Sequence, residues 1–202
     1  YTYDEWVKMG RFVKLDDGEV FYIHKGRGFP VVMTHQYGGN SWWFSRVLDA
    51  ISEQFSVFVM DLPGCGQSTA PPLPYGPPEY ADSLKEFMDK LGIDKAHLVA
   101  NKGSTVSAVH FVTERPTRVA KLVLDAAPTF DRVEAKKFWK HTFLGLFLDK
   151  DEQPRSYYDW SGKSPGESGT AYPGLDEDDR KAAIERAATD IQLHGKWWVA
   201  SM

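Results

Sequence analysis

The sequence contains a single cysteine, Cys65, among its 202 residues. One thiol excludes an internal disulfide, which suits a reducing compartment, and we expect a cytoplasmic protein. No apolar run approaches the roughly 18 residues that a membrane-spanning helix needs. The first residues do not resemble a secretory signal. The sequence therefore predicts no membrane partner.

Basic residues are not in excess, because 24 Lys and Arg stand against 28 Asp and Glu and give a net charge of −4. The two signs are interspersed along the chain, whereas nucleic acids and anionic membranes select clustered Lys and Arg. We therefore expect no nucleic-acid partner. With one Cys, and no pair of His four residues apart beside an acid, the sequence also predicts no metal site.

Aromatic residues, in contrast, are abundant: seven Trp, twelve Phe and nine Tyr. Packing in a core is the commoner use of such side chains. We expect some of them to line a cavity.

Strand and helix patterns alternate over the first 125 residues. Asp16-Asp17-Gly18 is a turn signal between two strand-like segments, which predicts a β-hairpin. The later strands are unbroken apolar runs between helices, which is typical of a parallel sheet covered on both faces. The predicted strands are 11–15, 19–24, 30–34, 56–60, 95–100 and 121–125, and the predicted helices run from Ser41, over 79–91 and over 105–114.

A sharp turn is predicted where the strand 95–100 meets the helix 105–114. The residues there are Ala100-Asn101-Lys102-Gly103-Ser104. Strand, tight turn and helix with small flanking residues form the setting of a nucleophile elbow, in which a strained central residue stands above the sheet. The central residue here is Lys102, where Ser, Cys or Asp is usual.

The alternation of strand and helix patterns ends after Pro128. The pattern predicts an aromatic-rich helix over 131–148, a loop over 151–173, and another helix over 176–194 with acids in its first turn. The predicted domains are therefore a core over 1–128 and a helical region over 129–202.

In three segments the chain resembles the α/β-hydrolase superfamily. They are His35-Gln36-Tyr37-Gly38-Gly39, Asp61-Leu62-Pro63-Gly64-Cys65-Gly66-Gln67-Ser68 and the elbow at 100–104. It looks most like the haloacetate dehalogenase and epoxide hydrolase branch, because Leu124-Asp125-Ala126-Ala127-Pro128-Thr129 precedes an aromatic helix with Phe138-Trp139 and Phe143-Leu144. The resemblance implies an α/β-hydrolase core with a helical cap over 129–202, and no cofactor.

The sequence departs from that branch in four respects. The elbow aspartate, whose carboxylate forms an ester intermediate, is replaced by Lys102. No arginine follows it to hold a substrate carboxylate. Gln36 stands at a glycine position and is expected to crowd the oxyanion region. Finally, the catalytic His of the branch follows the last strand of a complete sheet, and we expect this C-terminal part of the fold to be missing here.

Three interpretations of Lys102 stay open. It is a lost nucleophile that leaves a binding pocket, or a desolvated amine that serves as Schiff-base nucleophile or general base, or a plain surface residue after the strand. Ser104 is a poor candidate for the nucleophile because it lies two positions past the elbow.

The other candidate site residues follow from their positions in the resemblance. His35 is expected to orient the oxyanion loop rather than to catalyse, and the N–H groups of Gln36 and Gly103 are the expected oxyanion donors. Asp125 ends the sixth strand as a catalytic acid or as a buried acid at a local turn. Trp139, His141 and Phe143 share one helix and either line the pocket or pack.

Two hypotheses of function follow. One is an α/β-hydrolase, intact or inactivated at the nucleophile, for a small, partly apolar ester, epoxide or haloacid. The other is a non-catalytic protein that keeps the pocket to bind a small ligand. We also expect a homodimer, or a second chain that completes the fold.

Overall fold

The computed structural model describes residues 1–72 and 75–127 of the chain. Four α-helices and six strands build this part. The helices are α1 (Tyr3–Met9), α2 (Leu48–Ser52), α3 (Pro77–Lys90) and α4 (Ser104–Glu114), with 3-10 turns at Ser41–Phe44 and Pro116–Arg118. The strands are β1 (Arg11–Leu15), β2 (Gly18–Lys25), β3 (Pro30–Thr34), β4 (Ser56–Met60), β5 (Ala96–Asn101) and β6 (Val119–Asp125).

The six strands form one sheet in the order β1-β2-β4-β3-β5-β6. The hairpin β1–β2 and the pair β2–β4 are antiparallel, and the pairs among β3, β4, β5 and β6 are parallel. The predicted α/β fold with a mostly parallel sheet is confirmed. Because β3, β4 and β5 run in the same direction, their carboxyl ends and the loops that follow them meet at one edge of the sheet.

Helices cover both faces of the sheet, as predicted. One face packs a buried cluster against α3 and α4, with Phe87 and Phe111 at its centre. The other face packs Trp6 of α1 and Leu48 of α2 against β2, β3 and β4. The apolar runs of the central strands are buried on both sides for this reason.

The helix predicted from Ser41 is interrupted. The chain forms a 3-10 turn over Ser41–Phe44 and a separate α2 over Leu48–Ser52. Ser41 is held by distant partners, since its N–H donates to Asp61 Oδ1 at 2.6 Å and its Oγ accepts from the Trp6 indole at 2.9 Å. These tertiary contacts override the apolar spacing that predicted one continuous helix.

Two other boundaries differ from the prediction. Helix α3 begins at Pro77, two residues before the predicted start at 79, because proline is well suited to the first turn of a helix. Helix α1 was not predicted, although Thr2 and Glu5 form a reciprocal capping box that the sequence displays.

The predicted cap over 129–202, with Trp139, His141 and Phe143, lies outside the described residues. Within the described ranges, no helix has the length and apolar character needed to cross a bilayer. Over those same residues, no group of three or more His, Cys, Asp or Glu is placed to hold a metal ion.

Candidate functional site

Lys102 occupies a sharp turn between β5 and α4. Its φ is +49°, which a non-glycine residue adopts rarely and at a cost in backbone energy. Two backbone hydrogen bonds hold the turn: Lys102 N–H donates to the Asp125 carbonyl at 2.8 Å, and Thr105 N–H donates to the Lys102 carbonyl at 3.0 Å. The side chain is exposed at the carboxyl edge of the sheet. The backbone therefore has the geometry of a nucleophile elbow.

Ser104 anchors the inner side of this elbow. Its side chain is 1% exposed, and its Oγ accepts a hydrogen bond from Asn101 N–H at 3.1 Å. The same hydroxyl lies 3.0 Å from the Thr34 carbonyl oxygen. Because Ser104 is buried and bonded in this way, it stabilises the turn and is not presented to a substrate.

The loop after β3 packs directly against the elbow. A Cβ added to Gly103 would lie 2.7 Å from Cδ2 of Tyr37, so the tyrosine ring leaves room only for glycine there. The Tyr37 hydroxyl shares a short hydrogen bond with Ser107 of α4, and its ring stacks on Tyr80 of α3. Burial raises the pKa of the Tyr37 phenol, which therefore stays protonated. Tyr37 thus fixes the position of this loop beside Lys102.

His35 joins the loops after β3 and β4. Its Nε2 accepts a hydrogen bond from Leu62 N–H at 3.0 Å, which requires a neutral ring with the proton on Nδ1. That Nδ1–H donates to the Gln36 carbonyl at 2.6 Å. The ring is fully buried. These contacts support the predicted role of His35 in orienting the loop.

Acidification is expected to destabilise the protein through His35. Burial holds the pKa of His35 below the ordinary histidine value, although nearby Asp61 and the Gln36 carbonyl oppose the shift. As the pH falls below about 6.5, the unfolded chain takes up a proton that the folded protein resists. The unfolded state then binds more protons than the folded state. The free energy of unfolding therefore decreases as the pH is lowered, by at most about 1.4 kcal/mol per pH unit.

The matched comparison is His35→Gln, which cannot titrate. Urea unfolding at several pH values between about 7.5 and 5.0 should give a shallower acid decline for the variant than for the wild type. The pKa of His24 is also lowered, by partial burial and by Arg11, but His24 is present in both proteins and its contribution cancels. An equal dependence of the free energy of unfolding on pH in the two proteins would contradict the lowered pKa of His35.

Two backbone N–H groups at the site have no partner in the described part of the chain. None of the hydrogen bonds found there uses the N–H of Gln36 or of Gly103 as its donor. These are the two groups predicted as oxyanion donors. The Gln36 side chain lies next to Gly39: a Cβ built on Gly39 would be 3.3 Å from Gln36 Cγ.

Trp43 belongs to this site, and the sequence reasoning did not select it. The Lys102 ammonium lies 5.3 Å from the centre of the Trp43 ring, within the range of a cation–π contact. Trp43 is 37% exposed, whereas its neighbours Trp42 and Phe44 are buried. The signal that could have found Trp43 is its place between two core positions on one turn, which directs it away from the core.

Asp125 lies beside the elbow and is exposed, so the prediction of a buried acid is wrong, although its carboxylate and its carbonyl are both hydrogen-bonded. Its Oδ2 accepts a hydrogen bond from Asn101 Nδ2 at 2.5 Å, and its backbone carbonyl accepts from Lys102. Asn101 is 1% exposed, and its Oδ1 has no hydrogen-bond partner among the described residues. This pair ties β5 to β6 immediately below Lys102, so Asp125 acts here on the conformation of the elbow.

A family model described as the alpha/beta hydrolase fold matches residues 30–160, which is more than half of the chain. The chain belongs to the α/β-hydrolase family. The matched range includes the loop after β3, the loop after β4 and the elbow.

Curated relatives confirm the family and include the predicted branch. This α/β-hydrolase is 41% identical over 124 residues to a 2-hydroxy-6-oxononadienedioate/2-hydroxy-6-oxononatrienedioate hydrolase of Klebsiella pneumoniae, a match that covers 56% of the chain and 43% of the relative. It is 26% identical over 162 residues to a fluoroacetate dehalogenase of a Burkholderia species, which covers 73% of the chain and 50% of that protein. The chain thus spans about half or less of the curated relatives that it matches.

A solved structure of a hydrolase from Pseudomonas aeruginosa shows the same fold. The TM-score is 0.71 at 18% identity, and the match covers 95% of this α/β-hydrolase and 72% of that chain. At this identity the likeness establishes the fold alone.

Proposed function

We propose that this α/β-hydrolase binds a small, partly apolar molecule at the carboxyl edge of β3 and β5, and that it does not hydrolyse it through an ester at the elbow. The observation that carries the proposal is Lys102 at φ +49° in the nucleophile turn. The turn, the buried Ser104 and the loop after β3 keep the geometry of a hydrolase site. The group that this geometry presents is an amine.

An amine at the elbow cannot form the ester intermediate that a carboxylate forms there. A carboxylate at the elbow attacks carbon to form an ester, which water then cleaves. An amine that attacked an epoxide or a haloacid would form a C–N bond that water does not cleave, so turnover would stop. A pocket built on the hydrolase frame with Lys102 at its floor is therefore suited to binding.

The ligand classes follow from the relatives by similarity. One relative is a fluoroacetate dehalogenase, and by their names two others are a 2-hydroxy-6-oxononadienedioate/2-hydroxy-6-oxononatrienedioate hydrolase and a soluble epoxide hydrolase. A small ester, epoxide or haloacid is accordingly the proposed kind of ligand.

Lys102→Asp is the variant that tests the elbow. A carboxylate at this position is expected to open styrene oxide or displace bromide from bromoacetate, in each case forming an ester with the side chain of residue 102. Intact-mass spectrometry should show one adduct in Lys102→Asp, and peptide mapping should place it at residue 102. The wild type should carry no ester there.

A matched control is Lys121→Asp, which places the same carboxylate on the exposed surface of β6. It should form no adduct under the same conditions. Labelling of both variants would show that the reagent reacts with any exposed carboxylate. Absence of an adduct in Lys102→Asp would overturn the assignment of residue 102 as the elbow position.

The Schiff-base interpretation of Lys102 receives less support. Lysines that act as nucleophiles are usually activated by burial or by a neighbouring cation, whereas the Lys102 side chain is exposed. Borohydride reduction in the presence of pyruvate should therefore leave Lys102 unmodified, and added mass at this residue would revive that interpretation.

A further inference from the structure

We propose that the floor of the site recognises a carboxylate group, with the Lys102 ammonium as the charged partner and the N–H groups of Gln36 and Gly103 as hydrogen-bond donors. This inference rests on the proposed binding function and names the chemical class of the ligand. It differs from hydrolysis at the elbow, in which the same N–H groups would face an oxyanion formed during reaction.

The described part of the chain places a cation, Lys102, beside the unused N–H groups of Gln36 and Gly103. Among residues 1–72 and 75–127, no carboxylate forms an ion pair with Lys102 within 4.0 Å. The Asp125 carboxylate, beside the elbow, accepts a hydrogen bond from Asn101, and the Asp125 carbonyl accepts one from the backbone of Lys102. An anion that entered the site would meet a cation and two unused N–H groups.

Contacts with the core hold these donors in place. Tyr37, packed on Gly103 and bonded to Ser107, fixes the loop that carries Gln36. The His35 ring bonds the Gln36 carbonyl, which restrains the backbone on the C-terminal side of the Gln36 N–H. Donors that are ordered before the ligand arrives lose little conformational entropy on binding.

Trp43 supplies an apolar surface beside the cation. Its ring holds the Lys102 ammonium at 5.3 Å from the ring centre, and the ring is 37% exposed. A cation–π contact at an exposed site is weak compared with a charge-assisted hydrogen bond. A carboxylate can therefore draw the ammonium toward itself, and the exposed part of the ring offers an apolar surface to the body of the ligand.

The number of donors favours a carboxylate over a phosphate. A carboxylate has two oxygens and a single charge, which one ammonium and two N–H groups can serve. A phosphate has more oxygens and a charge near −2, and protein sites for it commonly surround it with several N–H groups. The single cation and the neighbouring tryptophan fit a small organic acid.

Phenylacetate and phenylacetamide are a matched pair of probes, since they share the apolar body and differ in the charge. Titration calorimetry on the full chain should show phenylacetate binding at least about tenfold more tightly than phenylacetamide. Lys102→Met should remove this preference, Lys102→Arg should retain most of it, and Lys121→Met should leave it unchanged. Raising NaCl from about 20 mM to about 500 mM should weaken binding of the acid alone.

Amide NMR signals provide an independent readout. The signals of Gln36 and Gly103 should shift on addition of phenylacetate and much less on addition of phenylacetamide. Unmoved amide signals at saturating acid would overturn the role of the two N–H groups.

The other outcomes separate the two proposals. Equal affinity for acid and amide would overturn carboxylate recognition and leave the binding pocket standing. A preference that survives in Lys102→Met would overturn the role of Lys102. Displacement of phenylacetate by inorganic phosphate at equal concentration would overturn the carboxylate class in favour of a general anion site. Binding of neither probe, together with ester capture in Lys102→Asp, would overturn this inference while the elbow assignment stands.

Discussion

Gly66→Ala is expected to lower the free energy of unfolding by about 3–5 kcal/mol. Gly66 has φ +54°, and a Cβ at this position would lie 2.1 Å from Oδ2 of Asp61. Alanine in the left-handed region costs about 1–2 kcal/mol. The added methyl must also displace a buried carboxylate from its hydrogen bonds, and each donor left without a partner costs about 1–3 kcal/mol.

The matched control is Gly92→Ala at the end of α3. Gly92 also has positive φ, at +68°, but a Cβ there would meet nothing within 4 Å. Gly92→Ala should therefore lower the free energy of unfolding only by the backbone cost of about 1–2 kcal/mol. Urea unfolding of the two variants separates strain from collision, and equal losses at the two glycines would contradict the collision argument.

Asp61→Ala is expected to cost about 2–5 kcal/mol of folding stability. The carboxylate is 1% exposed, and it accepts hydrogen bonds from Ser41 N–H at 2.6 Å and from Gln67 N–H at 2.8 Å. Alanine leaves the buried Ser41 N–H and the partly buried Gln67 N–H without this partner. Since Ser41 begins the turn that carries Trp43, the loss should also loosen the apolar side of the site.

Urea unfolding again provides the measurement, with Asp94→Ala as the control. Asp94 is exposed at the end of the loop before β5, and its backbone carbonyl, which accepts from Arg118, is retained in the variant. That change should stay within about 0.5 kcal/mol of the wild type. A loss in Asp61→Ala no larger than this would show that the two N–H groups find other partners.

The double variant Gly66→Ala with Asp61→Ala distinguishes a shared cause from two separate ones. Both single changes act through the same carboxylate, so their combined effect should fall short of the sum by more than about 0.5 kcal/mol. Strict additivity would show that Gly66 acts through backbone strain alone.

The sequence by itself determined the succession of the six strands along the chain, the helices α3 and α4, and the position of the elbow. Apolar runs such as 30–34 and 56–60, and the turn signal at Asp16-Asp17-Gly18, act over a few residues. Local patterns of this kind remain readable in the linear chain. The small residues around Lys102 were therefore enough to predict the strand, turn and helix found in the structure.

Only the tertiary structure decided which side chains meet at that elbow. The Lys102 ammonium contacts Trp43, which is 59 positions away in the sequence and follows another strand. Asn101 pairs with Asp125, and Tyr37 sets the space at Gly103, because parallel strands bring the ends of distant segments to one edge. The break in the helix predicted from Ser41 has the same origin, since Asp61 and Trp6 form hydrogen bonds with Ser41 from distant parts of the sequence. Such contacts depend on strand order and register, which local propensity does not encode.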